Sequence, residues 1–254
     1  MSLILCLETS TKVCSVALGQ KGKLLALKES LDEKHSHAEN LTLYIEDVCS
    51  KAKISLKDIS AVAVSKGPGS FTGLRIGVST AKGLCYALNK PLIAINSLEV
   101  MALGQTFPAD RQSVRAESRA QISNLYCPMI DAKRMEVYCA VYDENLNEIK
   151  KTSAEIIDEN SFSDLLQKNK IMFFGDGATK CKIKITHPNA VFVDDINPSA
   201  QFMIPIAEKY FSDPEFSGED VAYFEPFYLK DFLGTTALPT CPTGRRESSP
   251  SGRT

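Results

Sequence analysis

Apolar residues along this chain fall in short blocks, and their spacing switches between the period of a strand and that of a helix. Residues 3–8 (Leu-Ile-Leu-Cys-Leu-Glu) are an apolar run closed by an acid and predict a buried strand. Thr9-Ser10-Thr11-Lys12 reads as a turn, and residues 13–19 alternate partly, like a second strand. A polar turn at Gln20-Lys21-Gly22 leads to a third strand over 23–29. The period then changes. Leu41, Ile45, Val48, Cys49 and Ala52 stand at helical spacing within 38–52. Residues 60–65 predict another buried strand, Gly67-Pro68-Gly69 a sharp break, and 70–88 a helix with Ser70 as its N-cap. A strand at 91–95 and a helix starting at Ser97 follow.

The second half repeats the opening. Residues 125–131 form a strand pattern that ends in Asp131, as residues 3–8 end in Glu8. A turn, a strand over 136–142, a polar turn and a third strand over 146–151 come next. A helix at 161–168 and a strand at 171–174 complete the unit. A repeated strand-strand-strand-helix-strand unit implies an α/β protein of two similar subdomains with a cleft between them. The first is expected over 1–103 and the second over 104–198, entered by a polar, aperiodic connection at 104–120. An amphipathic helix at 199–211 is placed to return to the first subdomain, despite Pro205, within an extension over 199–232. Residues 233–254 keep no apolar pattern and read as a disordered tail. This duplication resembles the actin-like ATPase superfamily, a likeness that speaks to fold and not to function.

Composition narrows the classes. Of 254 residues 44% are hydrophobic, enough for ordinary cores, and the formal net charge of −2 argues against a basic surface devoted to nucleic acid. No basic segment precedes the short apolar run at 3–7, and no apolar stretch nears the roughly 20 residues of a membrane helix. Eight scattered cysteines form no C-x-x-C pair, which fits free thiols in a reducing cytoplasm.

Several groups carry candidate chemistry. Gly67, Gly69 and Ser70 lie between a strand and a helix start, where backbone N–H groups favour anions; the pattern lacks the Gly-Lys-Ser/Thr ending of a Walker loop, and a tight turn with Ser70 as cap is the favoured reading. Glu8 and Asp131, with Thr9 and Ser10, are placed to face the cleft as a magnesium-nucleotide pair, or else to accept hydrogen bonds within their own turns. His35 and His37 lack further nearby ligands, and Ser36 with Glu39 makes a capping box there. Along the helix at 70–88, Gly73, Gly77, Thr80, Ala81 and Leu84 form a stripe of small residues, while Leu74, Val78, Cys85 and Leu88 are left to face the sheet. The stripe admits a close neighbour, either inside the subdomain or as a protein–protein surface shared with Leu41 and Ile45. Arg134 suits a partner, a nucleotide, RNA or a structural ion pair.

Three segments together resemble the TsaB family: Leu7-Glu8-Thr9-Ser10, Gly67 through Gly77 continuing to Ala81-Lys82-Gly83-Leu84, and Met129 through Tyr138. The likeness spans about residues 1–230. It implies a non-catalytic subunit for threonylcarbamoyladenosine modification of tRNA. Such a subunit binds and activates the catalytic relative TsaD, works with the ATPase TsaE, pairs with itself when TsaD is absent, and meets tRNA only through the complex. The resemblance implies no cofactor of its own, with at most weak or shared ATP or ADP at the partner interface. TsaD carries two metal-binding histidines four residues apart, and Ser97 and Met101 stand at those places here. Neither replaces an imidazole on such a cation. An independent kinase or metallopeptidase-like enzyme and a homodimeric nucleotide-binding regulator are the alternatives.

Overall fold

Buried strands set the frame, because their side chains are apolar on both faces and need cover on both. The computed structural model describes residues 2–31, 37–106 and 124–230. Strand β1 (Leu3–Glu8) turns back into β2 (Val13–Gln20) and then β3 (Lys23–Leu31). Helix α1 (His37–Ala52) crosses to β4 (Ala61–Gly67), α2 (Phe71–Leu88) to β5 (Leu92–Asn96), and α3 (Ser97–Thr106) follows directly. The first sheet has the order β3-β2-β1-β4-β5, with β1 antiparallel to β2 and parallel to β4.

The second half contains β6 (Asn124–Asp131), β7 (Glu136–Tyr142), β8 (Glu148–Ile156), α4 (Ser163–Leu166), β9 (Lys170–Phe174), α5 (Ala178–Cys181) and β10 (Ala190–Val193). Its sheet runs β8-β7-β6-β9-β10, again with the first strand antiparallel to the second and parallel to the fourth. The two sheets therefore share one topology, and the duplicated actin-like plan is present in the backbone.

Three boundaries differ from the sequence reading. The helix expected over 161–168 is only the single turn α4, because Phe162 enters it with φ 63°. The strand expected to end at 151 continues to Ile156 as partner of β7. Gly104, Gln105 and Thr106 belong to α3, so the connection does not begin at 104. Strand β10 and helix α5 had no readable pattern. His35, Ser36, residues 107–120 of the connection and the tail over 233–254 lie outside the described residues.

Alternation along β1 assigns its residues to two cores. Leu3, Leu5 and Leu7 pack with Leu41, Ile45 and Val48 of α1 and Val78, Ala81 and Cys85 of α2. Ile4 and Cys6 pack on the other face with Val100 and Leu103 of α3 and with Met203, Ile204 and Ile206 of helix α6 (Met203–Phe211), which thus covers the first sheet. In the second sheet Leu125, Cys127 and Met129 face Leu166 of α4 and Ala178 and Cys181 of α5. Their neighbours Tyr126 and Ile130 face Leu98, Met101 and Ala102 of α3. Helix α3 is thus a wedge shared by both sheets. The seven described cysteines are buried and form no disulfide with one another, and no described helix is long and apolar enough to cross a membrane.

Candidate functional site

Parallel strands end where the sheet's helices begin, so the carboxyl ends of β1 and β4 bring their loops together. Ser70 N–H donates to the Ser10 carbonyl at 2.6 Å, and the Ser70 hydroxyl accepts from Gly73 N–H at 3.3 Å, capping α2. The Thr9 hydroxyl donates to the Gly73 carbonyl at 2.8 Å. A Cβ on Gly69 would collide with the Ser10 carbonyl, one on Gly73 with the Thr9 carbonyl and one on Gly77 with the Thr9 hydroxyl. These three glycines let α2 lie directly on the β1–β2 turn. Gly67, at φ +109°, is joined to Pro68 by a cis peptide.

This geometry corrects the interface assignment. Gly73, Gly77 and Ala81 are buried against their own subdomain, and Leu41 and Ile45 are core residues. At 100° per residue the glycine stripe adjoins Leu74, Val78 and Cys85, so one buried face spans about 140° of α2. Only Thr80 and Leu84 of that set are half-exposed. The solvent-facing arc holds Thr72, Arg75, Ser79, Gly83, Tyr86 and Ala87 instead. A Cβ on Gly83 would meet nothing within 4 Å, and Tyr86 is 85% exposed. Leu43, on the adjacent α1, is 58% exposed.

Glu8 is fully buried. Its Oε1 accepts from Ser10 N–H at 2.7 Å, while Oε2 has no hydrogen-bond partner among the described residues, and the same holds for the buried hydroxyls of Ser10 and Ser97. Burial pushes the Glu8 carboxyl up, and the surrounding hydrogen bonds offset only part of that rise. A carboxyl whose folded pKa lies above its unfolded value near 4.5 binds its proton more tightly when native. Its contribution to stability is whole below about pH 4.5 and is lost as pH rises toward the folded pKa. Glu8→Gln, an amide of the same shape, is therefore expected to match the native chain at pH 4 and to unfold at a higher temperature than it at pH 8. Melting curves of both proteins across that range check the difference.

Asp131 has unlike surroundings. It is exposed at the end of β6, its Oδ1 accepts Lys133 N–H at 3.0 Å, and Lys180 forms an ion pair with it. Its own N–H donates to Asp176 Oδ1 at 3.0 Å. Asp176 belongs to Gly175-Asp176-Gly177, which follows β9 as Gly67-Pro68-Gly69 follows β4; Gly175 has φ +103°. Loss of water around it raises the Asp176 carboxyl; the hydrogen bond from Asp131 N–H and, more weakly, the charge of Lys12 offset part of that rise. Asp131 and Asp176 are thus joined at the strand ends of the second sheet, and Arg134 is exposed in the turn that follows β6. The sequence reading passed over Gly175, Asp176 and Gly177, although a Gly-x-Gly after a buried strand in the second repeat was the available signal.

Residues 219–230 run back over the molecule as a strap. Glu219 bridges to Leu92 on the outer edge of β5, and Lys82 of α2 donates to the carbonyls of Ala222 and Phe224 at 3.1 and 3.0 Å. Phe227 N–H donates to the Lys66 carbonyl at 2.7 Å, beside Gly67. The Tyr228 ring lies 4.9 Å from that of Phe71 at the start of α2. Lys230 then pairs with Glu136 of the second sheet.

Ser97 and Met101 are buried, and Met101 sits in the apolar cluster with Tyr126, Ile130 and Phe174. Among the described residues no group of three His, Cys, Asp or Glu is arranged to hold a metal ion.

The family model described as TsaD, tRNA N6-adenosine threonylcarbamoyltransferase, matches residues 32–233. The Escherichia coli (strain K12) protein named tRNA threonylcarbamoyladenosine biosynthesis protein TsaB is 31% identical over 244 residues, which cover 93% of this chain and 98% of that one. The chain belongs to the TsaB family. The Haemophilus influenzae TsaB is 25% identical over 93% of the chain and 97% of its own length. Among solved structures, YeaZ from Pseudomonas aeruginosa superposes with a TM-score of 0.71 at 23% identity, covering 90% of this chain and all of that one. A second Pseudomonas aeruginosa structure, an uncharacterized protein with similarity to peptidase YEAZ, gives 0.75 at 24% identity, covering 91% and 100%. These likenesses establish the shared fold of the TsaB family member described here.

Proposed function

We propose that the chain is the non-catalytic subunit of a tRNA threonylcarbamoyladenosine-forming complex, acting in the cytoplasm by binding and activating TsaD alongside the ATPase TsaE. The observation that carries this reading is Met101. Where the catalytic relative keeps the second imidazole of its metal pair, this chain has a thioether packed among Leu98, Tyr126, Ile130 and Phe174. Ser97, at the first position, is equally buried. A buried thioether in an apolar cluster leaves no open coordination position for a borderline cation. The unlike surroundings of the two acids support the same reading: Glu8 is fully buried with its carboxyl pushed up, while Asp131 is exposed and paired with Lys180, so they do not make a matched magnesium pair.

Activation requires only that the chain bind the competent arrangement of TsaD more tightly than the others, which raises that arrangement's population. The docking face is the solvent side of α2 with the neighbouring side of α1, centred on Gly83 and flanked by Thr80, Tyr86 and Leu43. A glycine inside a helix costs about 0.8–1 kcal/mol relative to alanine. Among the described residues nothing packs on Gly83 to offset that cost. Close approach of a TsaD helix offsets it. In the absence of TsaD the same face pairs two copies of the chain, and ATP or ADP, where it binds, is shared with the partner.

The test is reconstitution. Purified TsaD and TsaE with tRNA, threonylcarbamoyl adenylate and this chain are expected to form the modified nucleoside. Omitting the chain is expected to lower the yield at least about tenfold, the scale of a coupling energy of about 1.4 kcal/mol. Full modification without the chain, or magnesium-dependent turnover of nucleotide by the chain alone, would replace this reading with that of an independent enzyme.

A further inference from the structure

The turn between β6 and β7 contains an anomaly that the accessory role leaves unexplained. Lys133 and Arg134 are consecutive and both left-handed, with φ of 68° and 48°. That conformation costs an ordinary L-residue roughly 1 kcal/mol or more, and an Asn-Gly pair would adopt it freely. Two long basic residues are strained there together, and strain of this kind is retained where the surroundings enforce it.

The surroundings do enforce it. Asp131 Oδ1 holds Lys133 N–H, Ala132 N–H donates to the Glu136 carbonyl at 3.1 Å, and Glu136 N–H to the Lys133 carbonyl at 3.2 Å. Ile157 N–H donates to the Met135 carbonyl at 2.8 Å. Lys180 donates to the Glu136 carbonyl at 2.7 Å, and Lys230 of the strap to the Ala132 carbonyl at 3.4 Å. The same two lysines also consume the local acids, Lys180 pairing with Asp131 and Lys230 with Glu136. What remains are the side chains of Lys133 and Arg134, both exposed, with no acidic partner among the described residues. Two adjacent cations with no ion-pair partner among the described residues thus stand on one hydrogen-bonded turn of a chain whose net charge is −2.

We infer that Lys133 and Arg134 form a contact for the phosphodiester backbone of RNA. Both cations are exposed and adjacent, which suits an extended polyanion better than an enclosed small nucleotide. The hydrogen-bonded turn fixes where their backbone stands, so binding need order only the two side chains. The inference rests on the proposed role in tRNA modification, since that role supplies the RNA.

The test is the double variant Lys133→Asn/Arg134→Gly in the complete complex with TsaD and TsaE. Both replacements suit the left-handed turn, so the melting temperature is expected to stay level or rise. Removing a single cation–phosphate pair lowers the slope of log K against log salt by about 0.7–0.9. The variant complex is expected to bind unmodified tRNA with a slope smaller by about 1.4–1.8 and an affinity about tenfold weaker at 0.1 M salt. The control, Lys57→Asn/Lys168→Asn, removes the same charge from exposed positions elsewhere. Equal slopes for both variants, or an unchanged slope in the first with the complex intact, would overturn the RNA contact. A variant that loses ATP binding but keeps the RNA slope would assign the cations to a nucleotide instead. If the native complex assembles with TsaD but holds no tRNA, the RNA contact falls alone; if it does not assemble, the proposed function falls first.

Discussion

Replacing Gly83 with arginine is expected to leave the fold intact and slightly more stable while abolishing tight association with TsaD. Any side chain other than proline suits the middle of α2 better than glycine, and arginine gains about 0.8 kcal/mol on helix propensity alone. Among the described residues, nothing outside the helix's own backbone and the chain neighbours stands within 4 Å of the position a Cβ would take, so no clash there opposes that gain. A partner helix seated on Thr80, Gly83 and Tyr86 has no such freedom. A guanidinium forced into a close helix–helix contact must either be desolvated without a partner or hold the helices apart. Either loss is on the scale of an interface hot spot, about 2–4 kcal/mol, so affinity should drop at least about 30-fold. Calorimetric titration against TsaD, with melting curves as the fold control, reads both quantities. Unchanged affinity would move the docking face away from α2.

The companion substitution behaves in the opposite way. Gly77→Leu is expected to destabilise the chain by about 2–3 kcal/mol, the cost of overpacking a site with no room to relax. Even the first carbon of a side chain there would overlap the Thr9 hydroxyl. That hydroxyl is itself fixed by its hydrogen bond to the Gly73 carbonyl. For a domain of this size the shift corresponds to about 5–10 °C in melting temperature. Partner binding then falls only as far as the folded population does. Measured side by side, the two glycines separate packing from docking: position 77 moves stability, position 83 moves affinity.

The same pair shows how far the sequence could be read. A stripe of small residues at helical spacing announces a close neighbour but not which neighbour. Gly73 and Gly77 signal the approach of their own β1–β2 turn, which lies far earlier in the chain, and nothing local in the sequence distinguishes that turn from a second protein. Gly83, outside the stripe, carried the more useful information through the open space around it, which only the packed structure reveals. The strands of the first sheet were legible because their residues are apolar on both faces. The Glu8 and Asp131 strand ends were legible because the unit is repeated. Strand β10 was not, since Ala190–Val193 lies half-buried at a sheet edge and follows His187-Pro188 with no periodic run. Gly175-Asp176-Gly177 escaped because α5, which it introduces, is one turn long and has no amphipathic pattern to mark it. The strap was invisible for a related reason: its contacts are carbonyls held by Lys82 and single aromatic pairs, neither of which leaves a period in the sequence.

Helix α3 has a mechanical consequence. Its residues Leu98, Met101 and Ala102 fill the seam between the sheets together with Tyr126, Ile130, Ala140 and Phe174, all within 6% of full burial. Enzymes of two-lobed design hinge at such a seam; here, parting the lobes would wet a continuous hydrocarbon surface, and Asn96, hydrogen-bonded to Thr152 on β8, would have to let go as well. The two halves are therefore held as one packed unit, and a hinge opening here would carry the cost of exposing that seam.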